Sequence, residues 1–196
     1  MRSAEFSRKT KETDIKLKLT LEGSGRFTGE TTCGFLDHML SSFCKHSRFD
    51  IEIEASGDTY VDFHHLTEDI GIALGTAFKK ALGDMKGINR FGYFILPMDE
   101  ALVLSSVDIS GRALSCVSLN ILAEQIGNGF DTELCEEFWV AFARSAVLTL
   151  HIRQLTGTNS HHIIEAVFKS CARSLKQAAA IDESIKDEIP SSKGVL

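Results

Sequence analysis

The sequence has no apolar run approaching the roughly 18 residues that a membrane-spanning helix needs. Its opening, MRSAEFSRKTKETD, lacks the apolar core of a secretory signal, so a cytoplasmic protein that does not engage membranes is expected. The cysteines, Cys33, Cys44, Cys116, Cys135 and Cys171, are odd in number and include no CxxC pair. Neither a disulfide framework nor a zinc knuckle follows, and all five are expected as small core residues. Basic clusters are also missing: the formal net charge is -6, and no run of Lys and Arg supplies the face that nucleic-acid binding requires. A small anionic substrate needs only a few local cations and stays open. What the chain does have is 43% hydrophobic content over 196 residues, enough for a real core.

DIKLKLTLEG alternates Ile15, Leu17, Leu19 and Leu21 with polar residues, the period-2 signature of a strand with one buried face. EGSGR supplies turn glycines, and RFTGETTC reads as the returning strand of a hairpin. FLDHMLSSFCKHS has helical spacing, FDIEIEAS alternates as a strand, and from about His64 to Leu82 a helix carries Ile70, Leu74, Phe78 and Leu82 on one line. The second half repeats this order. ALVLSSVDIS and RALSCVSLN read as a hairpin, DTELCEEFWVAFARS as a helix, VLTLHIRQL as a strand, and His161 to about Ala180 as a helix. Ser-Gly-Arg recurs at Ser24 to Arg26 and Ser110 to Arg112, and HHxxE opens both last helices. The expected fold is therefore α+β and two-layered, an internal duplication of a ββαβα unit with helices packed on one sheet face. The half-repeats run about 12–86 and 87–181, and they are expected to pack as one unit. Residues 182–196 are polar and read as an irregular terminus.

The two HHxxE cassettes carry the chemistry. On the first turn of a helix, His64, His65 and Glu68 project toward one region, as do His161, His162 and Glu165. Imidazole plus carboxylate is a ligand set for first-row transition metals. Adjacent histidines point about 100° apart, too far for one ion to take both easily, so two ions are expected, each with one histidine from each cassette and one glutamate. His38, in GFLDHML, and Glu137, in CEEFWV, occupy matching helices of the two halves and are candidate further ligands. His151 lies in a strand pattern and reads as a packed or paired strand histidine. Asp62 and Asp69 have no counterparts in the second cassette and read as capping or solvated residues. Arg90 and Arg112 are candidate phosphate ligands through their planar guanidinium forks. Lys169 follows Glu165 by one helical turn, and Ser191, Ser192 and Lys193 form a string capable of clamping an anion.

Together, GFLDHML, HHLTEDIGIALG, NRFG, PMDEAL, DISGR, NSHHIIEAVFK and PSSKGVL resemble the imidazoleglycerol-phosphate dehydratase family, lyases of histidine biosynthesis, over nearly the whole chain. The resemblance implies halves of the ribosomal protein S5 domain 2-like type and dehydration of D-erythro-imidazole glycerol phosphate to imidazole acetol phosphate. It also implies two Mn2+ per active site, with sites assembled between subunits of a homo-oligomer of about 24 chains. One ion would be held by His64, His161 and Glu165, the other by His38, His65, Glu68 and His162. Many members place a histidine, in EHFF, where Glu137 stands here, and Glu137 either coordinates through oxygen or yields its place to water. Glu12, His65 and Glu165 would be catalytic. Substrate would be touched by Glu12, His38, His46, His64, Glu68, Arg90, Arg112, His161, Lys169, Ser191, Ser192 and Lys193, so the tail at 182–196 would complete the site rather than hang free. Two rivals remain at this level: a dinuclear metal hydrolase acting on a small phosphate ester, and a non-catalytic module in which the cassettes only staple subunits.

Overall fold

A computed structural model describes residues 1–196. The chain opens with a hairpin, β1 (Ser3–Lys9) and β2 (Thr13–Thr20), followed by β3 (Phe27–Glu30), α1 (Gly34–Ser47), β4 (Asp50–Gly57) and α2 (His64–Leu82). The order then recurs as β5 (Phe91–Met98), β6 (Ala101–Asp108), β7 (Leu114–Ser118), α3 (Leu134–Ala146), β10 (Thr149–Thr156) and α4 (Ser160–Ala179). A two-residue ladder, β8 (Gln125–Ile126) with β9 (Phe130–Asp131), is inserted before α3. The two four-stranded sheets have the same topology, β1-β2-β4-β3 and β5-β6-β10-β7.

Each unit thus carries one strand more than the hydrophobic pattern suggests, and both expected hairpins are corrected. RFTGETTC does not return along β2. Its β3 pairs parallel with β4, and the hairpin partner of β2 is β1, in register from Ser3 with Thr20 to Lys9 with Asp14. RALSCVSLN likewise gives β7, parallel to β10, while β6 pairs with β5. The reason is legible in the residues. β1 turns only Ala4, Phe6 and Arg8 inward, too weak an alternation to read, and β5 (FGYFILPM) is apolar on both faces.

Both helices of each half lie on one sheet face, and the halves stack helix to helix, α2 against α3 and α1 against α4. Sheet, helices, helices and sheet form four layers around one continuous core. Two glycines permit the closest approach: a Cβ on Gly71 would sit 2.6 Å from the Phe138 carbonyl oxygen, and one on Gly75 2.4 Å from that of Phe142. Beside them Trp139 is fully buried among Phe43, Phe138, Phe142 and Phe168. No helix is long and apolar enough to cross a membrane.

Several individual expectations change. Cys33, Cys44, Cys135 and Cys171 are buried, but Cys116 is exposed because β7 turns it to the outer sheet face. His151 is exposed on that same face, in register with Ser106 and Cys116. Asp62 does cap α2, its Oδ1 accepting from the His64 amide at 2.7 Å. Asp69 is neither cap nor solvated: it is buried, 2.7 Å from Arg8 Nε, and accepts from the Thr13 hydroxyl at 2.5 Å. It fastens α2 to the β1–β2 hairpin, and its loss strands a buried hydroxyl and a guanidinium. Asp69→Ala is expected to destabilise the fold by roughly 1–3 kcal/mol, measured as a lower urea midpoint with an unchanged slope.

Candidate metal and substrate site

The stacking of α1 on α4 brings three donors to one point. His38 projects from the second turn of α1, and His161 and Glu165 stand one turn apart on α4. Asn159 fixes the start of α4, its Oδ1 accepting from the amides of His161 and His162 at 2.9 and 3.2 Å. Nε2 of His161 is 3.2 Å, and Nε2 of His38 3.7 Å, from Oε2 of Glu165. One donor atom from each residue lies within 4.8 Å of the other two. Two imidazole nitrogens and a carboxylate oxygen converging in this way fit a first-row divalent ion.

Glu165 is ready for such a role because it is charged. Burial, the largest influence, pushes its carboxyl up, but Lys169 outweighs this with a 2.7 Å hydrogen bond and its charge, helped by His38 and His161. The net effect holds Glu165 below the usual carboxylate range. Next to it, His46 is held below the usual imidazole value, first by burial and then by the cations of Lys169 and Arg173.

Within one chain His38 lies beside His161 and Glu165, because α1 packs on α4 rather than on α2. By the duplication, the counterparts of His38, His161 and Glu165 are Glu137, His64 and Glu68. Glu137 lies half-buried on the first turn of α3, and His64 and Glu68 half-buried on the first turns of α2, which packs on α3.

The second histidine of each cassette has a carboxylate on Nδ1. For His65 it is Asp58, with 3.1 and 3.3 Å to its two oxygens, and the Glu12 carboxylate is 4.0 Å from the same nitrogen. For His162 it is Glu100, at 2.8 Å, while Asp99 sits 3.5 Å from Nε2. The Asp58 hydrogen bond raises His65 above the usual imidazole value, and the Glu100 hydrogen bond does the same for His162. Glu100 in turn is lowered to about 2, chiefly by His162 and then by the Asn159 amide. Asp58, Asp99 and Glu100 are the site residues that sequence reasoning missed. PMDEAL was noticed, but nothing in its spacing says that a hairpin turn ends beside the second cassette.

The wall beside His38 is a cleft of about 230 Å³ lined by Cys33, Phe35, Phe63, Asn128 and Phe130, whose aromatic faces suit a flat heterocycle. Phe35 stands edge-on to His161 with centroids 5.4 Å apart. Larger depressions, of about 670 and 530 Å³, lie on the outer face of the first sheet among Lys16, Glu30 and Glu54, and no metal-donor cluster occurs there.

The remaining predicted substrate residues collect elsewhere. Arg90 hydrogen-bonds Asp108 at 2.8 Å and the Pro190 carbonyl at 2.9 Å, which pins the tail beside it. Exposed Arg112 is 3.7 Å from the same aspartate, and Ser191 accepts from the Lys193 amide, with Ser192 exposed between them. Arg90 meets α4 near Ala178. His161 and Ala178 are separated by roughly 25 Å at the helical rise, so one chain places its metal donors and its tail arginines at opposite ends of α4.

A family model described as imidazoleglycerol-phosphate dehydratase matches residues 31–175. The imidazoleglycerol-phosphate dehydratase of Prochlorococcus marinus strain NATL1A is 53% identical over 195 residues, covering 100% of this chain and 96% of that protein. That of Xanthobacter autotrophicus is 53% identical over 196 residues, covering 100% and 99%. Among solved structures, the enzyme of Staphylococcus aureus superposes with a TM-score of 0.83 at 38% identity, over 92% of this chain and 99% of that one. The enzyme of Pyrococcus furiosus, solved in complex with (S)-C348, gives 0.84 at 41% identity, over 97% and 100%.

The ionised Glu165 contributes stability above its ordinary pKa and loses it as pH falls through its lowered value. In metal-free protein, Lys169→Met removes the main influence opposing burial and raises that pKa. The wild type is therefore expected to exceed the variant in stability most above about pH 5, with the gap closing toward pH 3. Urea midpoints measured across that range check this; a gap independent of pH would contradict it.

Proposed function

The chain belongs to the imidazoleglycerol-phosphate dehydratase family, and on that premise we propose how its residues carry the reaction. The enzyme is a hydro-lyase: it removes water from D-erythro-imidazole glycerol phosphate, giving imidazole acetol phosphate in histidine biosynthesis. The observation that carries the assignment of the reacting end is the convergence of His38, His161 and Glu165 beside an aromatic cleft. His38, His161 and Glu165, with the counterpart set Glu137, His64 and Glu68, hold two Mn2+ per active site, and His65 and His162 supply the remaining imidazoles. Bound there, the metal supplies a Lewis acid to the substrate's imidazole.

The carbon-bound proton to be removed is not acidic, so a base must be placed against it. Glu12 is exposed and 4.0 Å from His65, at the turn of the β1–β2 hairpin, and takes that proton from C2. The hydroxyl leaves from the adjacent carbon bearing the ring. The resulting enol becomes the ketone by gaining a proton at that carbon and losing one from oxygen, so the balance is one water lost. His65 and Glu165 stand at this reacting end. Lys169 brings positive charge beside Glu165 and His46 stands there as a neutral imidazole, while Arg90, Arg112, Ser191, Ser192 and Lys193 bind the phosphate.

The separation along α4 means that a compact substrate cannot reach both groups in one chain. The site is therefore completed between copies, in a homo-oligomer of about 24 chains. The sheets support this reading. The outer face of the first is charged, with Lys16 opposite Glu54 and Lys18 opposite Glu52, whereas the second exposes Phe91, Tyr93, Ile95 and Leu114. Five free cysteines fit a reducing, cytoplasmic setting. No observation favours the hydrolase reading.

Chelated enzyme is expected to form no imidazole acetol phosphate and to regain activity with added Mn2+. Glu12→Gln is expected to keep its metal while losing about 10²–10⁴-fold in turnover. Activity indifferent to chelation, or near-normal turnover of Glu12→Gln, would overturn these assignments.

A further inference from the structure

The two cassettes differ internally in a way the HHxxE pattern hides. The first histidines, His64 and His161, have no carboxylate on Nδ1, and Nε2 of His161 turns to Glu165 of its own helix. The second histidines do have one: Asp58 on His65 and Glu100 on His162. These acids are not related by the duplication. Asp58 follows β4, whereas Glu100 lies in the β5–β6 turn, so the halves reach the same contact from different loops. The first-half turn that matches Glu100's carries Glu12, 4.0 Å from the same His65 nitrogen, but there Asp58 makes the closer contact.

Each acid is itself anchored. The Asp58 amide donates to the Glu12 carbonyl at 3.0 Å, and the Asp58 side chain is mostly covered. Glu100 uses Oε2 for His162, while its Oε1 accepts from the amides of Thr158 and Asn159 at 3.2 and 2.7 Å, in the segment that starts α4. A carboxylate accepting from Nδ1–H fixes the imidazole tautomer, leaves Nε2 as the only free lone pair, and stops the ring from turning. Asp99, the other group near His162 Nε2, is largely exposed and makes no such bond.

We propose that Asp58 and Glu100 are positioning residues that lock His65 and His162 with Nε2 presented as a metal ligand, so that the histidine each site takes from outside its own three-residue cluster arrives already oriented. This rests on the metal reading above and adds the source of the orientation.

The test is Mn2+ binding rather than turnover. Chelated, desalted enzyme is titrated with Mn2+, and free ion is followed by its electron paramagnetic resonance signal. Asp58→Ala and Glu100→Ala are each expected to weaken part of the Mn2+ uptake by about 10–100-fold, and the double variant to weaken all of it. Asp58→Asn and Glu100→Gln keep an oxygen acceptor for Nδ1–H and are expected to restore affinity to within about threefold. Thermal midpoints of the chelated variants separate loss of orientation from loss of fold, since the Asn and Gln variants retain the loop contacts. If wild-type enzyme binds no Mn2+, the metal reading itself fails. If wild type binds and both alanine variants bind equally tightly, or if the conservative variants are as weak as the alanines, the positioning role is overturned.

Discussion

Burial pushes the Glu165 carboxyl up, yet Lys169 and two imidazoles hold it below the usual carboxylate range, and the reacting end is arranged around that fact. Its carboxylate is held by Lys169 one turn along α4 and faces two imidazoles, one from its own helix and one from α1. The α1 imidazole reaches it only because the halves stack helix to helix. The same stacking brings α2 to α3 through Gly71 and Gly75 and encloses Trp139. A buried charge of this kind costs stability unless it is compensated. The local Lys169 partner therefore lets the protein keep an anionic ligand in place before any cation arrives.

The duplication puts matching donor types in both halves, but one chain gathers a single cluster, His38 with His161 and Glu165, and not a finished site. Three donors leave a divalent ion with open positions, and the remaining histidines stand with their own acids at Nδ1. At the far end of α4, Arg90 holds the tail by the Pro190 carbonyl and presents the cationic group. On the proposed reading, a protomer donates metal ligands at one end and anion ligands at the other. The contrast between a charged first sheet and an apolar second one gives it a surface on which copies can associate.

Much of this was legible in the residues. The boundaries of α2 and α4 follow from apolar lines starting at the cassettes, with Asp62 read as capping or solvated, and the repeat follows from matched tripeptides and cassettes. The hairpins were misassigned because β1 buries one weak face and β5 hides its alternation behind apolar residues on both faces. Strand neighbours are set by crossovers through helices, and local patterns carry no record of them. His38 could be named a candidate ligand, but its place beside Glu165 depends on which helix packs on which. Asp58 and Glu100 were invisible because single acids near turns are common, and only the fold brings these two to histidine Nδ1 atoms.

The central claim is that His38, His161 and Glu165 of one chain share an ion, with a histidine from another copy completing it. Anomalous scattering at the manganese edge from crystals of the Mn2+-loaded enzyme tests this most directly. The account predicts a peak in coordination contact with Nε2 of His38, Nε2 of His161 and a carboxylate oxygen of Glu165, with a neighbouring chain's His65 or His162 beside it. A peak that leaves out His38, or one ligated by a single chain alone, would contradict it.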